Sequence, residues 1–295
     1  MKLVTYLLSG EKKIGVISTS GNIVDVTDIV KTNDMNVLIE NYACYESSLK
    51  MCSDGPDEGG IPLGHVRLLA PIPTPRRNIF CVGKNYYAHA HEFGNSGYDS
   101  SAAAGNIPTH PIIFSKPCTS SVSGPDDGVD STLAPYDTLD YEAELAVVLG
   151  KKGRVAESDD PLSYIFGFTL INDLTSRHLQ KQHSQWLLGK GCDGFCPMGP
   201  LLVTADEFGT LGSQILSCTV NGETRQQAAI RDLIFDIPTL IKTIGQNITL
   251  LPGDIIATGT PAGVGLDFSP PKYLRRGDKV VVAMAEIGEL TNSII

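Results

Sequence analysis

The chain has 295 residues, of which 42% are hydrophobic, and a net charge of −10 at pH 7. This length is typical of two domains or of one large β-rich domain, and a mean hydropathy of +0.01 predicts a soluble globular protein. The pI near 5.0 argues against nucleic acid and anionic membranes as main partners. It does not exclude a small anionic substrate, because local positive charge decides such binding.

The first part of the chain is predicted to be a small β-rich domain. Residues 1–30 indicate short strands separated by glycine turns, the first two forming a hairpin, and residues 34–51 favour a helix. The proline-rich segment 71–75 then resembles a stiff linker. We therefore predict an N-terminal domain over 1–70 and a larger domain over 71–295.

An acidic strand is the most informative feature of the larger domain. Because strand side chains alternate between faces, Asp140, Glu142 and Glu144 share one face. Side chains two residues apart lie ~6.6 Å apart along a strand, so two such carboxylates can converge on one cation. An edge strand with a solvated acidic face is the alternative, which the apolar run continuing to Leu149 disfavours.

A second charged group follows the apolar strand predicted over 164–172. Asp173 stands where this strand ends and a helix begins, a place where functional residues often lie. A helix N-cap is its alternative role. Arg177 and Gln180 are three residues apart and therefore share one helix face, where a solvated surface is the alternative.

Three loops complete the pattern. The glycine-rich loops 186–200 and 251–265 contain Lys190 and Thr260 and match neither a P-loop nor a dinucleotide motif. Their glycines would let the backbone approach a small ligand closely. The small, polar segment 94–108 is predicted to be a mobile loop or lid.

Six motifs occur in a fixed order from about residue 78 to the C-terminus, and through them the chain resembles the fumarylacetoacetate hydrolase family. The motifs are Gly83-x-Asn85-Tyr86-x-x-His89-x-x-Glu92, Phe114-x-Lys116-Pro117, Glu142-x-Glu144-Leu145, Asn172-Asp173-x-x-x-Arg177-x-x-Gln180, Gly189-Lys190 and Pro252-Gly253-Asp254-x-x-x-Thr258-Gly259-Thr260-Pro261.

The resemblance implies a mixed α/β, predominantly β fold, with a rolled mixed β-sheet as the catalytic domain and a small β-rich N-terminal domain. By position, Glu142, Glu144 and Asp173 match the family's metal ligands. An all-oxygen site suits Mg²⁺ best, with Mn²⁺ or Ca²⁺ as alternatives, and suits zinc less well. The resemblance also implies a homodimer.

The resemblance assigns catalytic roles to three residues. His89 and Glu92 match a pair in which the glutamate orients a histidine that activates water, and a carboxylate partner is expected to raise the pKa of the histidine. Lys190 matches a lysine that reaches the oxygens of the substrate. The positions that match the substrate pocket are Arg177, Gln180, Thr260 and Lys116.

One position departs from the family pattern. The residue after Arg177 is commonly a second acid in the family, and here it is His178. The change removes a negative charge near the site, so the specific substrate is not carried over from the family.

The resemblance implies an enzyme that cleaves a C–C bond in a small anionic 2-oxo (1,3-dicarbonyl) acid. We expect an acylpyruvate-type hydrolase acting through a pyruvate enolate that the metal and Lys190 stabilise. Decarboxylation of oxaloacetate and isomerisation or decarboxylation of a dienedioate are alternatives on the same site. A catalytically silent binding protein is the alternative of another class, disfavoured because every metal-ligand and catalytic position is filled.

The cellular location is predicted from the absence of disulfide, signal-peptide and membrane-helix patterns in the sequence. Seven scattered cysteines form neither a disulfide framework nor a zinc pattern, which favours reduced thiols in a cytoplasmic protein. The apolar run at the start is too short for a signal peptide, and no window approaches the ~20 apolar residues of a membrane helix. A mitochondrial location is left open.

Overall fold

The computed structural model describes residues 1–55, 59–95 and 107–295. Most of the predicted lid 94–108 lies outside these ranges. The strands of the described residues are β1 (Lys2–Leu8), β2 (Glu11–Ile17), β3 (Ile23–Asp25), β4 (Arg67–Leu68), β5 (Ile79–Gly83), β6 (Ile112–Lys116), β7 (Val122–Ser123), β8 (Gly128–Val129), β9 (Leu139–Asp140), β10 (Ala143–Leu149), β11 (Ile165–Asn172), β12 (Thr175–Ser176), β13 (Cys196–Thr204), β14 (Ile215–Val220), β15 (Glu223–Ala229), β16 (Ile255–Ala257), β17 (Lys279–Met284) and β18 (Gly288–Ile294).

Short helices connect these strands. The α-helices are α1 (Thr27–Val30), α2 (Met35–Glu40), α3 (Tyr42–Asp54), α4 (Tyr87–Asn95), α5 (Arg177–Gln182), α6 (Leu187–Lys190), α7 (Ala205–Phe208) and α8 (Ile237–Gly245). Single 3-10 turns occupy Leu63–His65, Ser131–Leu133, Pro135–Asp137, Pro161–Tyr164, Ile230–Asp232 and Gly265–Asp267. No helix within the described ranges is long and apolar enough to cross a membrane.

The strands form one large and two smaller sheets. The large sheet has the order β3-β2-β1-β13-β11-β10-β16-β5-β6, with β4 paired to β1 and β7 to β13. A second sheet has the order β15-β14-β17-β18-β8, and β12 pairs with β9. The predicted mixed α/β, predominantly β fold is confirmed.

The register of the large sheet brings four chain segments to one end. Strands β10 and β11 are antiparallel with Ala143 opposite Asn172, so the start of β10 lies beside the end of β11. Strand β16 is also antiparallel to β10, and β5 is parallel to β16. The carboxyl ends of β5, β11 and β16 therefore meet the amino end of β10.

Strand β10 is buried along its whole length, as its apolar run predicts. Leu145 and Val147 pack into the core shared with the second sheet, while Ala146 and Val148 pack beneath α2 and α3. The alternating side chains therefore serve two different cores. The interpretation as a solvated edge strand is wrong, because neighbouring strands pair with β10 on both sides.

The N-terminal segment begins with the predicted hairpin, formed by β1 and β2. The single helix expected over 34–51 is instead two helices that meet at Asn41. Asp34 caps the first of them by accepting a hydrogen bond from the amide of Asn36 at 2.9 Å. Strand β1 also pairs with β13, so the first 70 residues share a sheet with the rest of the chain. The domain division at residue 70 stays a prediction.

Candidate metal centre and active site

Three carboxylates converge at the end of the large sheet. Glu142 and Glu144 flank the start of β10, and Asp173 follows the last residue of β11. Backbone hydrogen bonds fix this geometry, since the amide of Asp173 donates to the carbonyl of Glu142 at 2.8 Å. One carboxylate oxygen of each acid lies within 4.8 Å of the other two, and all three residues are buried. The predicted ligand set is therefore brought together.

Two lysines neutralise part of this cluster. Lys190 Nζ donates to Glu142 Oε2 and to Asp173 Oδ2, both at 2.7 Å. Lys116 Nζ donates to Asp173 Oδ1 at 2.6 Å and to the carbonyls of Leu174 and Lys190. Lys116 is fully buried, so its ion pair with Asp173 is shielded from solvent.

The pKa values of the two glutamates are shifted in opposite directions. Burial opposes ionisation of Glu142, but Lys190 and Arg177 outweigh it and lower its pKa to about 2. For Glu144, burial and then the neighbouring Asp173 and Glu142 raise the pKa well above its ordinary value. Three buried carboxylates, one of which is kept from ionising by the others, are a donor set that a divalent cation fits, because its charge would relieve this repulsion.

A network around Arg177 orders the next part of the site. The guanidinium is fully buried, donates from Nε to Asp140 Oδ2 at 2.8 Å and lies 2.7 Å from Glu142 Oε1. Its Nη1 donates to Gln180 Oε1 at 3.0 Å, one turn along α5. Asp140 also accepts from the amides of Gly265 and Leu266. Asp140 therefore ties Arg177 to the loop before the C-terminal strands, a positioning role that its place on the acidic face did not reveal.

A small cavity opens onto this network. Its internal volume is about 20 Å³, which is room for one water molecule. Of the predicted substrate-binding residues, Lys116 does not line the cavity. Gln226 Nε2 holds Thr260 by donating to its hydroxyl at 2.8 Å. The lining residues are Val82, Gly83, Lys84, His89, Phe114, Glu142, Arg177, Gln180, Trp186, Lys190 and Thr260.

His89 and Glu92 lie on α4, one helical turn apart. The structure adds Asp267 to this pair: one ligand atom of each residue lies within 4.8 Å of the others, and His89 Nδ1 is 4.0 Å from Asp267 Oδ2. Glu92 Oε2 accepts from the amide of Gly263 at 3.2 Å. Burial and then the Glu92 carboxylate raise the pKa of Asp267 to about 7, with Arg177 acting in the opposite direction.

The pKa of His89 is lowered overall, whereas a carboxylate partner is expected to raise it. Burial lowers this pKa to about 4; Glu142 acts in the opposite direction, but the positive charges of Arg177, Lys190 and Lys84 add to the effect of burial. The ring is almost completely enclosed, and the cost of charging it there exceeds the attraction of the nearby acids. His89 is therefore neutral at neutral pH, which is the form that can accept a proton.

Comparisons with known proteins found a matching family model and several similar proteins. Residues 78–295 match the family model described as fumarylacetoacetate (FAA) hydrolase C-terminal. Oxaloacetate tautomerase YisK of Bacillus subtilis (strain 168) is 47% identical over 233 residues, 79% of this chain and 74% of that protein. The mitochondrial oxaloacetate tautomerase Fahd2a of Rattus norvegicus is 40% identical over 238 residues, 80% of this chain and 71% of that protein.

Two solved structures have the same fold over the whole chain. A fumarylacetoacetate hydrolase (EaFAH) from psychrophilic Exiguobacterium antarcticum has a TM-score of 0.83 at 37% identity and covers 100% of this chain and 99% of that one. Maleylpyruvate hydrolase from Sphingobium sp. SYK-6, in complex with manganese(II) and pyruvate, has a TM-score of 0.79 at 29% identity, with coverage of 100% and 99%.

Proposed function

The chain belongs to the fumarylacetoacetate hydrolase family, and on that premise we propose that it is a divalent-metal-dependent enzyme that interconverts the enol and keto forms of oxaloacetate. The observation that carries the proposal is the convergence of three buried carboxylates with Lys190, beside a small cavity that Glu142, Lys190 and His89 line. Two relatives that are 47% and 40% identical bear the name oxaloacetate tautomerase, which supports the choice of substrate.

Glu142, Glu144 and Asp173 are the proposed ligands of the cation, and Mg²⁺ is the proposed ion, with Mn²⁺ as the alternative. Carboxylate oxygens with no sulfur or imidazole ligand favour these hard cations. When bound, the cation supplies Lewis-acid stabilisation of negative charge on the substrate's oxygens. Lys190, which pairs with Glu142 and Asp173, would share these two carboxylates with the bound cation.

The reaction itself requires only proton movements. In the direction from enol to keto, the enol O–H gives its proton to solvent, its electron pair forms the C2=O bond, and the electron pair of the C2=C3 π bond takes up a proton at C3. Lys190 stabilises the developing negative charge at the C2 oxygen. His89 carries the proton to or from C3, since its neutral ring lines the same cavity as Glu142 and Lys190. Arg177 orients Gln180 toward the substrate.

Hydrolysis of an acylpyruvate remains the second candidate. The cavity has room for one water beside His89, and maleylpyruvate hydrolase, whose structure contains manganese and pyruvate, shares the fold at 29% identity. In this reaction His89 would deprotonate the water that attacks the distal carbonyl, with Glu92 and Asp267 behind the ring. The predicted dimer and the predicted cytoplasmic location stay predictions.

The test uses purified protein stripped of metal by chelation. Enol-oxaloacetate is added with and without Mg²⁺ or Mn²⁺, and the loss of enol absorbance and the release of pyruvate are followed separately. We expect metal-dependent loss of the enol without pyruvate. Pyruvate from oxaloacetate would instead establish a decarboxylase. Pyruvate from acetylpyruvate without catalysed tautomerisation would establish the hydrolase.

A pair of variants locates the activity in the proposed site. Glu144→Gln removes one ligand charge and is expected to abolish metal-dependent turnover, while Glu46→Gln changes a half-buried glutamate on α3 that pairs with Lys50 and is expected to have no effect on turnover. Full activity of Glu144→Gln after chelation would contradict the proposal.

A further inference from the structure

We propose that Lys84 is a specificity-determining residue that binds the distal carboxylate of a dicarboxylic 2-oxo acid. The inference rests on the proposed function and deepens it, because it names the part of the substrate that one wall of the cavity recognises. Lys84 occupies the unassigned position between Gly83 and Asn85 in the first motif.

The backbone at Lys84 adopts a conformation that lysine rarely takes. Its φ is +55°, in the left-handed region, which is unfavourable for a residue with a β-carbon. The next residue holds this turn in place: Asn85 Nδ2 donates to the carbonyl of Thr258 at 2.8 Å, and Asn85 Oδ1 accepts from the amide of Phe235 at 2.8 Å. Strain that the surroundings maintain in this way is characteristic of ligand-binding positions.

The side chain of Lys84 belongs to the cavity wall. The residue is 2% exposed and lines the cavity together with His89 and Lys190. His89 lines the same cavity. Lys190 lies against the carboxylates Glu142 and Asp173. The cavity wall therefore contains two lysines, of which Lys190 is the one paired with the proposed metal ligands.

A substrate that binds between these lysines is contacted by the protein at both of its ends. The 2-oxo acid end lies at the carboxylate side, where Lys190 and the proposed cation stabilise its oxygens. C3 then lies toward His89, and the group attached to C3 lies toward Lys84. A carboxylate at that position forms a charge-assisted hydrogen bond with Lys84, a contact that a neutral acyl or methyl group cannot make.

The inference is tested by binding of two non-enolising acids in the presence of Mg²⁺. Malate has a distal carboxylate, and 2-hydroxybutanoate has the same carbon skeleton without it. Trp186 is the only tryptophan of the chain and lines the cavity, so its fluorescence reports binding directly. We expect the wild-type protein to bind malate at least ~10-fold more tightly, and Lys84→Met to weaken malate binding by about 10- to 100-fold, the range for losing a hydrogen bond to a charged group.

Two further variants separate charge from structure. Lys84→Arg retains the charge and is expected to retain the preference for malate, whereas Lys152→Met changes an exposed lysine and is expected to bind both acids as the wild type does. In Lys84→Met, binding of 2-hydroxybutanoate is expected to stay within about threefold, and the loss with oxaloacetate to lie mainly in KM.

The binding measurements can overturn the inference about Lys84 independently of the proposed enzyme activity. The inference would be overturned if Lys84→Met lost affinity equally for both acids, or lost no affinity for malate. A wild-type protein that binds malate no more tightly than 2-hydroxybutanoate would also overturn it, and this result does not depend on the folding of the variants. Failure of the proposed tautomerase is distinguishable, because malate binding and its dependence on Lys84 can be measured whether or not oxaloacetate is turned over.

Discussion

The amide of Gly259 donates a hydrogen bond of 2.8 Å to Glu144 Oε2, and this contact joins a proposed metal ligand to the loop that follows β16. Gly259 has φ of +102°, and a β-carbon there would lie 2.8 Å from the β-carbon of Asn85. The absence of a side chain is therefore what lets this loop approach both the carboxylate cluster and the turn that contains Lys84.

The first prediction concerns this close approach. Gly259→Ala is expected to lower the free energy of unfolding by about 2–4 kcal/mol, because it combines backbone strain with a steric clash. Gly222→Ala is the matched control: its φ is +81°, but no atom lies within 4 Å of the new β-carbon. For the control we expect the free energy of unfolding to fall by only about 1 kcal/mol. Urea unfolding measures both, and equal effects would show that the contact with Asn85 is unimportant.

The second prediction separates stability from metal binding at Glu144. Without metal, Glu144→Gln is expected to be as stable as the wild type or more stable by about 1–3 kcal/mol, because it removes a buried carboxyl crowded by Asp173 and Glu142. With Mg²⁺ at 100 times its Kd, the wild type gains about 2.7 kcal/mol and the variant gains nothing. Thermal unfolding with and without Mg²⁺ measures this, and an unchanged metal response in the variant would exclude Glu144 as a ligand.

The third prediction concerns acid. The pKa of His89 is about 4 in the folded protein and near 6.5 when unfolded, so between these pH values the unfolded state binds more protons. Stability should therefore fall as pH drops from 6.5 to 4, with His89 contributing about 3 kcal/mol of the loss. His89→Gln is expected to flatten this part of the curve of unfolding free energy against pH. His65→Gln, at an exposed histidine, is the control, and parallel curves for the wild type and His89→Gln would refute the assignment.

The fourth prediction concerns the buried pair of Asp140 and Arg177. Asp140→Asn is expected to cost about 3–5 kcal/mol of stability, because it leaves the fully buried guanidinium with one charge partner fewer. Asp126→Asn, at an exposed acid, should change stability by less than ~0.5 kcal/mol. Urea unfolding of both variants checks the expectation, and a similar small change in Asp140→Asn would show that Glu142 alone holds Arg177.

Local patterns in the sequence predicted much of the fold. The apolar runs of β10 and β11, the N-terminal hairpin and the helical spacing of His89 and Glu92 all appear in the structure. These features depend on side-chain periodicity over a few residues, which a single sequence displays directly. The break at Asn41 between α2 and α3 was missed, because tertiary packing decides where a helical segment divides.

The sequence by itself determined which residues could form the site: alternation along β10 placed Glu142 and Glu144 together, and the order of the motifs supplied Asp173, Lys190 and His89. Only the tertiary structure decided what surrounds them. Strand pairing over long separations brings Asp140 to Arg177, Asp267 to His89 and Lys84 into the cavity wall. Burial then lowers the pKa of His89 where the sequence suggested a rise, because desolvation depends on how the whole chain encloses a group rather than on its neighbours in sequence.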